Sequence, residues 1–114
     1  MEAEDIENDL LLNFEDFLVS GDDDLIKKRY NPAVSSYFKA LAILCDLNIY
    51  KGLRILPKNH SERFSILKSN FPKAYSLMSK LFRKYTESYD LRMERKDALM
   101  LKENVKKLKD IFQD

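Results

Sequence analysis

The sequence predicts an all-α protein, an up-and-down antiparallel helical bundle of four long helices plus one short helix. Only two Gly and three Pro among 114 residues leave little of the turn chemistry that a many-stranded sheet requires. Residue types that favour helix (Leu, Lys, Glu, Ala and Met) dominate the long segments. Apolar residues recur at alternating steps of three and four, which is the spacing of one helical face. A chain of this length is expected to form a single domain, residues 1–114.

The first predicted helix spans about residues 3–19 and is strongly acidic. Its apolar face is formed by Ile6, Leu10, Phe14 and Phe17. Gly21 and the acids after it predict its end. Residues 1–24 carry ten acids and no base, so the rest of the chain holds 20 bases against nine acids, a balance of +11. Such a helix is expected to be solvated or paired within the molecule, and a loosely packed or swapped placement is the alternative.

The second predicted helix is the most apolar one. Asn31 is a suitable N-cap and Pro32 fits the first helical position. Two adjoining apolar stripes follow as far as Ile49, so we expect this helix at the centre of the bundle. Gly52 is predicted to stop it, and Pro57 keeps the following connection out of helix.

Three more helices are predicted in the second half of the chain. Asn59 and Glu62 have the spacing of a capping box at the start of a short helix that ends near Asn70. Pro72 then opens a helix with an almost perfect heptad seam: Phe71, Tyr75, Met78, Phe82, Tyr85 and Tyr89. The last helix carries a similar seam: Ala98, Leu101, Val105, Leu108 and Phe112. Seams this regular predict near-antiparallel neighbours.

Composition also indicates the cellular compartment in which the protein is expected. The longest uncharged apolar run, Ala40–Cys45, is far shorter than the roughly 20 residues that a membrane span needs. An acidic N-terminus is not typical of a secretory or mitochondrial targeting peptide. The single cysteine, Cys45, is interpreted as a buried small hydrophobe in a reducing compartment. We therefore expect a cytoplasmic protein with no membrane association.

Several local patterns between residues 22 and 108 occur together in one known family. The first is the Asn-Pro-Ala-Val start of the second helix, residues 31–34, and the second is the aromatic pair Tyr37 and Phe38 that follows it. The others are the Asn59-His60 start of the short helix and the Tyr-x-x-x-Tyr pattern of Tyr85 and Tyr89 near a helix end. In these features the chain resembles the HEPN domains, small helical bundles associated with nucleotides and RNA. The resemblance implies a homodimer, and the same bundle serves in that family as ribonuclease, as nucleotide-related partner module and as scaffold. The first prediction is a non-catalytic nucleotide- or RNA-associated binding module, with a nucleotidyltransferase as the kind of partner that HEPN-like proteins often have.

The single histidine, His60, is the centre of the predicted site. Neutral His60, Arg63 one turn later and free N–H groups at the helix start could together hold a phosphate. Arg54 and Asn59 complete the predicted ligand-binding set. The plainer interpretation of His60 is a half-exposed ring that orders the loop and whose charged form the helix dipole disfavours.

A metal-independent endoribonuclease is the first alternative function. Arg54 precedes His60 with five residues between them, the spacing of the family's ribonuclease motif. The guanidinium would neutralise charge on the phosphate while the imidazole moves a proton, in a cleft between two copies. Ile55 stands where that motif usually has a polar residue and Pro57 separates the pair, so catalysis is not the first prediction.

The second alternative is a scaffold that acts only through its dimer or partner surface, with the acidic first helix as a docking segment. No metal site is predicted, because one His without a neighbouring Cys or carboxylate cluster offers too few ligands. No cofactor is predicted either, since no Gly-rich phosphate loop is visible.

Overall fold

Five α-helices and no strand make up residues 2–113, the part of the chain that the computed structural model describes. In chain order they are α1 (Ala3–Ile26), α2 (Tyr30–Leu53), α3 (His60–Asn70), α4 (Pro72–Glu87) and α5 (Arg95–Gln113). The prediction of an all-α helical bundle is confirmed. None of the helices in this range is long and apolar enough to cross a membrane.

Helix α2 lies at the centre of the core and packs against each of the other four helices. It buries side chains around most of its circumference: Ala33, Tyr37, Phe38, Ala40, Leu41, Ala42, Leu47, Ile49 and Tyr50. Burying a large apolar side chain contributes about 1.5–3 kcal/mol, so this helix supplies much of the drive for folding. Because the same chain covers most of its circumference, the apolar character of α2 gives no argument for a second copy.

Helix α1 continues past its predicted end at residue 19 and finishes at Ile26. Gly21 does not terminate it. This glycine is buried, and a Cβ atom there would lie 2.6 Å from Cε1 of Tyr37. The prediction that Gly21 ends the helix is therefore wrong, because the missing side chain serves the close approach of α1 to the Tyr37 ring and not a turn.

Acidic side chains of α1 connect it to the body of the protein. The hydroxyl of Tyr37 donates to Oδ1 of Asp22 at 2.5 Å, and Lys102 Nζ lies 2.9 Å from the same oxygen. Burial raises the pKa of Asp22, but the hydrogen bonds from Tyr37 and Lys102 outweigh it and hold that pKa below its ordinary value. With Phe14 in the core as well, α1 and α2 form the most extensive helix pair.

The start of α2 differs from the prediction. The helix begins at Tyr30, and Asn31 is not its N-cap. The Asn31 amide instead donates to the carbonyl oxygens of Ser88 and Leu91 at 2.7 and 2.8 Å, and it accepts from Met93 N–H at 2.9 Å. Asn31 thus fastens the connection between α4 and α5 to the first turn of α2, using groups that a cap would have aimed at its own helix.

The end of α2 lies close to the predicted stop, but Gly52 is still helical. The helix finishes at Leu53, and Arg54 takes the left-handed conformation with φ 58°. An arginine therefore occupies the position where glycine is usual, since the left-handed region disfavours side chains.

The starts of α3 and α4 confirm their predictions. The side chain of Asn59 accepts a hydrogen bond from Glu62 N–H at 2.8 Å, so Asn59 caps α3. Pro72 opens α4. The seam of α4 is shorter than predicted, because the helix ends at Glu87 and Tyr89 lies beyond it, 70% exposed.

Candidate functional site

His60 is the first residue of α3; the residue is exposed, but its imidazole packs against three aromatic rings. The ring centroids of Phe82, Phe38 and Tyr85 lie 5.3, 5.9 and 6.2 Å from its own. These rings come from α2 and α4, so the packing of three helices sets the position of the imidazole.

The second contact of His60 defines its tautomer. Nη1 of Arg63 lies 2.8 Å from Nδ1 of His60. A guanidinium only donates hydrogen bonds, so Nδ1 accepts and the proton of the neutral ring resides on Nε2. His60 is therefore a hydrogen-bond donor through Nε2.

The surroundings keep this imidazole neutral. Burial against the three aromatic rings lowers the pKa of His60 below 6.5, and the positive charge of Arg63 lowers it further. Asp46 raises the pKa by less than these effects lower it. At neutral pH the ring is accordingly an uncharged donor.

Arg63 is itself held by a buried ion pair with Asp46 of α2. Its Nε lies 2.7 Å from Oδ1 and its Nη2 lies 2.9 Å from Oδ2, a bidentate arrangement between side chains of residues only 9% and 8% exposed. Burial lowers the pKa of Arg63, but the hydrogen bond and charge of Asp46 outweigh it and the net shift is upward. With His60 included, Arg63 uses three of its five N–H groups inside the protein.

The Asp46–Arg63 pair is the element of the site that the sequence patterns did not reveal. Arg63 was predicted as a ligand contact, and its partner was not predicted at all. The available signal was Asp46 itself, an acid at a position of α2 flanked by buried residues on both sides. A buried carboxylate requires a partner, but the partner lies 17 residues away on another helix, where no local spacing indicates it.

Arg54 contacts side chains other than those at the start of α3. Its guanidinium is 5.2 Å from the ring centroid of Tyr50, and Nη1 is 3.8 Å from Oε2 of Glu7. The hydrogen bonds, ion pairs and ring contacts described for Arg54 share no residue with those of His60. The structure therefore brings His60, Arg63 and the cap Asn59 together, and it gives Arg54 other neighbours.

Two tyrosines extend the site beyond the predicted residues. The hydroxyl oxygens of Tyr85 and Tyr89 lie 2.6 Å apart, and Tyr85 stacks on Phe38 with 4.5 Å between ring centroids. Burial and the hydrogen bond with Tyr89 raise the pKa of Tyr85 to about 12. We refer to His60, Arg63, Tyr85 and Tyr89 as the His60 cluster. It offers a neutral imidazole, a fixed guanidinium and one exposed ring.

Metal ligands are not grouped in residues 2–113, where no set of three His, Cys, Asp or Glu side chains is close enough to hold an ion. Comparison with known proteins gives no relative: no protein-family model matches the chain, and no curated protein or solved structure matches it significantly. The fold and the site thus define a helical bundle with an uncharged, exposed histidine at a helix start.

Proposed function

We propose that this protein is a HEPN-like, non-catalytic binding module that holds the phosphate of a nucleotide or of RNA at the His60 cluster. The observation that carries the proposal is the imidazole of the exposed residue His60, kept neutral and oriented by Arg63 at the first residue of α3. A neutral Nε2–H group donates to a phosphate oxygen without first having to take up a proton.

The start of α3 adds further donors. Asn59 occupies the N–H of Glu62 with its side chain and that of Arg63 with its carbonyl. The N–H groups of His60 and Ser61 have no acceptor within the helix, as is general for the first turn. Together with the positive end of the helix dipole, they favour an anion at this position.

The positive charge of Arg63 and the exposed Tyr89 ring complete the proposed site. Arg63 supplies a positive charge that Asp46 neutralises only in part for a phosphate on the His60 side. Tyr89 supplies a face on which any base can stack, an interaction worth about 1–3 kcal/mol per base. Such a site binds nucleotides and single-stranded RNA with little sequence preference.

Binding has more support than cleavage, because the contacts of Arg54 are with Tyr50 and Glu7 and not with the His60 cluster. Two further parts of the proposal, the homodimer and the nucleotidyltransferase partner, follow from the resemblance to HEPN domains. Sedimentation velocity over a wide concentration range tests the first of them.

The test of the binding site is a titration of the full chain with inorganic phosphate, AMP and a fluorescent single-stranded RNA at low salt. The C2 proton of the lone histidine reports on all three ligands by NMR. We expect His60→Ala to weaken the binding of every ligand about tenfold or more. Tyr89→Ala should weaken the binding of AMP and RNA but not that of phosphate. Titrations that show no binding of any of the three would contradict the proposal.

Arg54→Ala is the matched control, since it removes a cation outside the cluster. If the protein is a binding module, Arg54→Ala leaves the affinities for phosphate, AMP and RNA nearly unchanged. If RNA is instead cut in the presence of EDTA, and both Arg54→Ala and His60→Ala abolish the cutting, the ribonuclease alternative replaces the proposed function.

A further inference from the structure

Helix α1 presents an apolar stripe on the side opposite to the core. Leu12, Val19 and Ile26 are 58%, 68% and 79% exposed and occupy every seventh position. Residues seven apart lie nearly above one another on a helix, so the three side chains form one line about 21 Å long. Phe14 and Gly21, the buried residues of α1, lie on the opposite side.

Acidic side chains stand between the members of this stripe. Glu15 and Asp16 lie between Leu12 and Val19, half a heptad from each, and both are exposed. Within residues 2–113 no base is within ion-pair distance of either carboxylate, in contrast to Asp23, which pairs with Lys27 and Arg29. Between Leu12 and Val19 the stripe therefore carries negative charge that the described residues do not pair, whereas the acids between Val19 and Ile26 pair with bases of the same chain.

We propose that the α1 stripe docks a basic amphipathic helix of a partner protein. Three aligned aliphatic side chains fit the heptad-spaced apolar side chains of one helix, and the acids between them fit Lys or Arg at the intervening positions. Scattered exposed apolar residues need no explanation, but a straight line of three that has two exposed, unpaired acids beside it is typical of an interface.

A second copy of the chain does not fit as the occupant. Two α1 helices side by side would bring nine acids against nine, because α1 contains no base. The basic helices α4 and α5 have the right charge but the wrong surface, since all exposed large hydrophobic side chains described lie elsewhere, on α1, at the end of α2 or in connections. The occupant is therefore a different chain.

The stripe shares no residue with the His60 cluster, so this proposal and the proposed function succeed or fail separately. The probe is a synthetic helix of about 21 residues with Leu at every seventh position and Lys at the positions half a heptad away. Its binding to the full chain is measured by fluorescence anisotropy at about 0.1 M salt. We expect saturable binding that weakens about tenfold or more in Leu12→Ser/Val19→Ser and in Glu15→Gln/Asp16→Gln.

The matched control is Ile55→Ser/Leu91→Ser, which removes two exposed hydrophobic side chains from other surfaces. It should leave the affinity for the peptide unchanged. All three double variants alter exposed positions, so their melting temperatures should equal that of the parent and show that they fold.

Three results would overturn the proposal. One is an affinity that is the same for Leu12→Ser/Val19→Ser as for the parent. Another is equal binding of a peptide with the same composition in scrambled order, because that result reflects net charge alone. The third is a dimer of the parent chain in sedimentation velocity that Leu12→Ser/Val19→Ser abolishes, because the occupant would then be a second copy.

Discussion

At the residue scale, the ion pair between Asp46 and Arg63 links the fold to the site. Each charge is buried and is compensated by the other, and the Arg63 guanidinium also donates a hydrogen bond to the imidazole of His60. Among residues 2–113, every fully buried side-chain nitrogen or oxygen has a hydrogen-bond partner. Replacing one member of this network therefore changes both the stability of the bundle and the chemistry of the histidine.

Asp46→Ala should destabilise the protein strongly. It leaves the Arg63 guanidinium buried without a counter-charge, which costs about 3–5 kcal/mol in the free energy of unfolding. The double variant Asp46→Leu/Arg63→Met replaces the pair with apolar groups of similar size and should cost much less. Urea denaturation measures both values. Equal losses in the single and the double variant would show that the pairing is not what stabilises these residues.

The pH dependence of stability should follow His60. Its pKa in the folded protein lies below 6.5, so the unfolded chain takes up a proton first as the pH falls. The contribution of the neutral ring is therefore complete above about 6.5 and decreases as the pH falls through the folded pKa. NMR titration of the lone histidine should give a midpoint below 6.5. His60→Gln should remove the part of the pH dependence of the melting temperature that is due to this histidine. A midpoint at or above 6.5 contradicts the described surroundings.

At the element scale, helix content was predictable but several helix ends were not. Apolar periodicity reports which face of a helix is buried, and it located the four long helices, whereas the capping box of Asn59 and Glu62 located the short one. Gly21 and Asn31 misled because their local signals, a helix stop and an N-cap, were overridden by partners far along the chain. The same limit applies to the site: His60 and Asn59 were predicted from local patterns, whereas Asp46 required knowledge of how α2 and α3 pack.

Replacing each of the two glycines with alanine should change the stability of the protein in opposite directions. Gly52→Ala should stabilise α2 by up to about 1 kcal/mol, because the new methyl group meets nothing closer than Phe71 Cζ at 3.7 Å. Gly21→Ala gains the same helix propensity, but its Cβ overlaps the Tyr37 ring, which is buried and hydrogen-bonded to Asp22. Overpacking of this kind costs about 1–3 kcal/mol. Thermal unfolding of the two variants should move in opposite directions, and a Gly21→Ala protein as stable as the parent would show that α1 can shift away from Tyr37.

Replacing Asn31 should destabilise the protein by a similar amount. Asn31→Ala leaves two carbonyl oxygens and the Met93 N–H without their partner, a loss of about 1–3 kcal/mol. Asn70→Ala is the control, since it removes an exposed amide that bonds only to Ile66 of its own helix. Urea denaturation should separate the two variants, and amide exchange at Met93 should accelerate in Asn31→Ala alone. Unchanged exchange at Met93 would show that the α4–α5 connection is held by other contacts.

At the scale of the whole molecule, two opposite charge distributions share one hydrophobic centre. Residues 1–24 are purely acidic, and the rest of the chain has a balance of +11. The structure joins them through the Phe14 side chain, the close contact at Gly21 and ion pairs such as Asp22–Lys102. Helix α1 thus covers an apolar face of α2 and neutralises a basic body at the same time.

Removing residues 1–24 separates these two roles. The shortened chain exposes the part of α2 that α1 covers, including the ring of Tyr37, and it keeps the whole positive balance. Apolar exposure favours self-association while charge opposes it, so association should increase with salt as the Debye length falls from about 10 Å at 0.1 M to about 3 Å at 1 M. Sedimentation velocity at both salt concentrations measures this. The full chain, with a net charge of +1 and a covered α2, should show no such increase. A shortened chain that stays monomeric and folded at both concentrations would mean that α1 is an addition to a complete four-helix core rather than part of it.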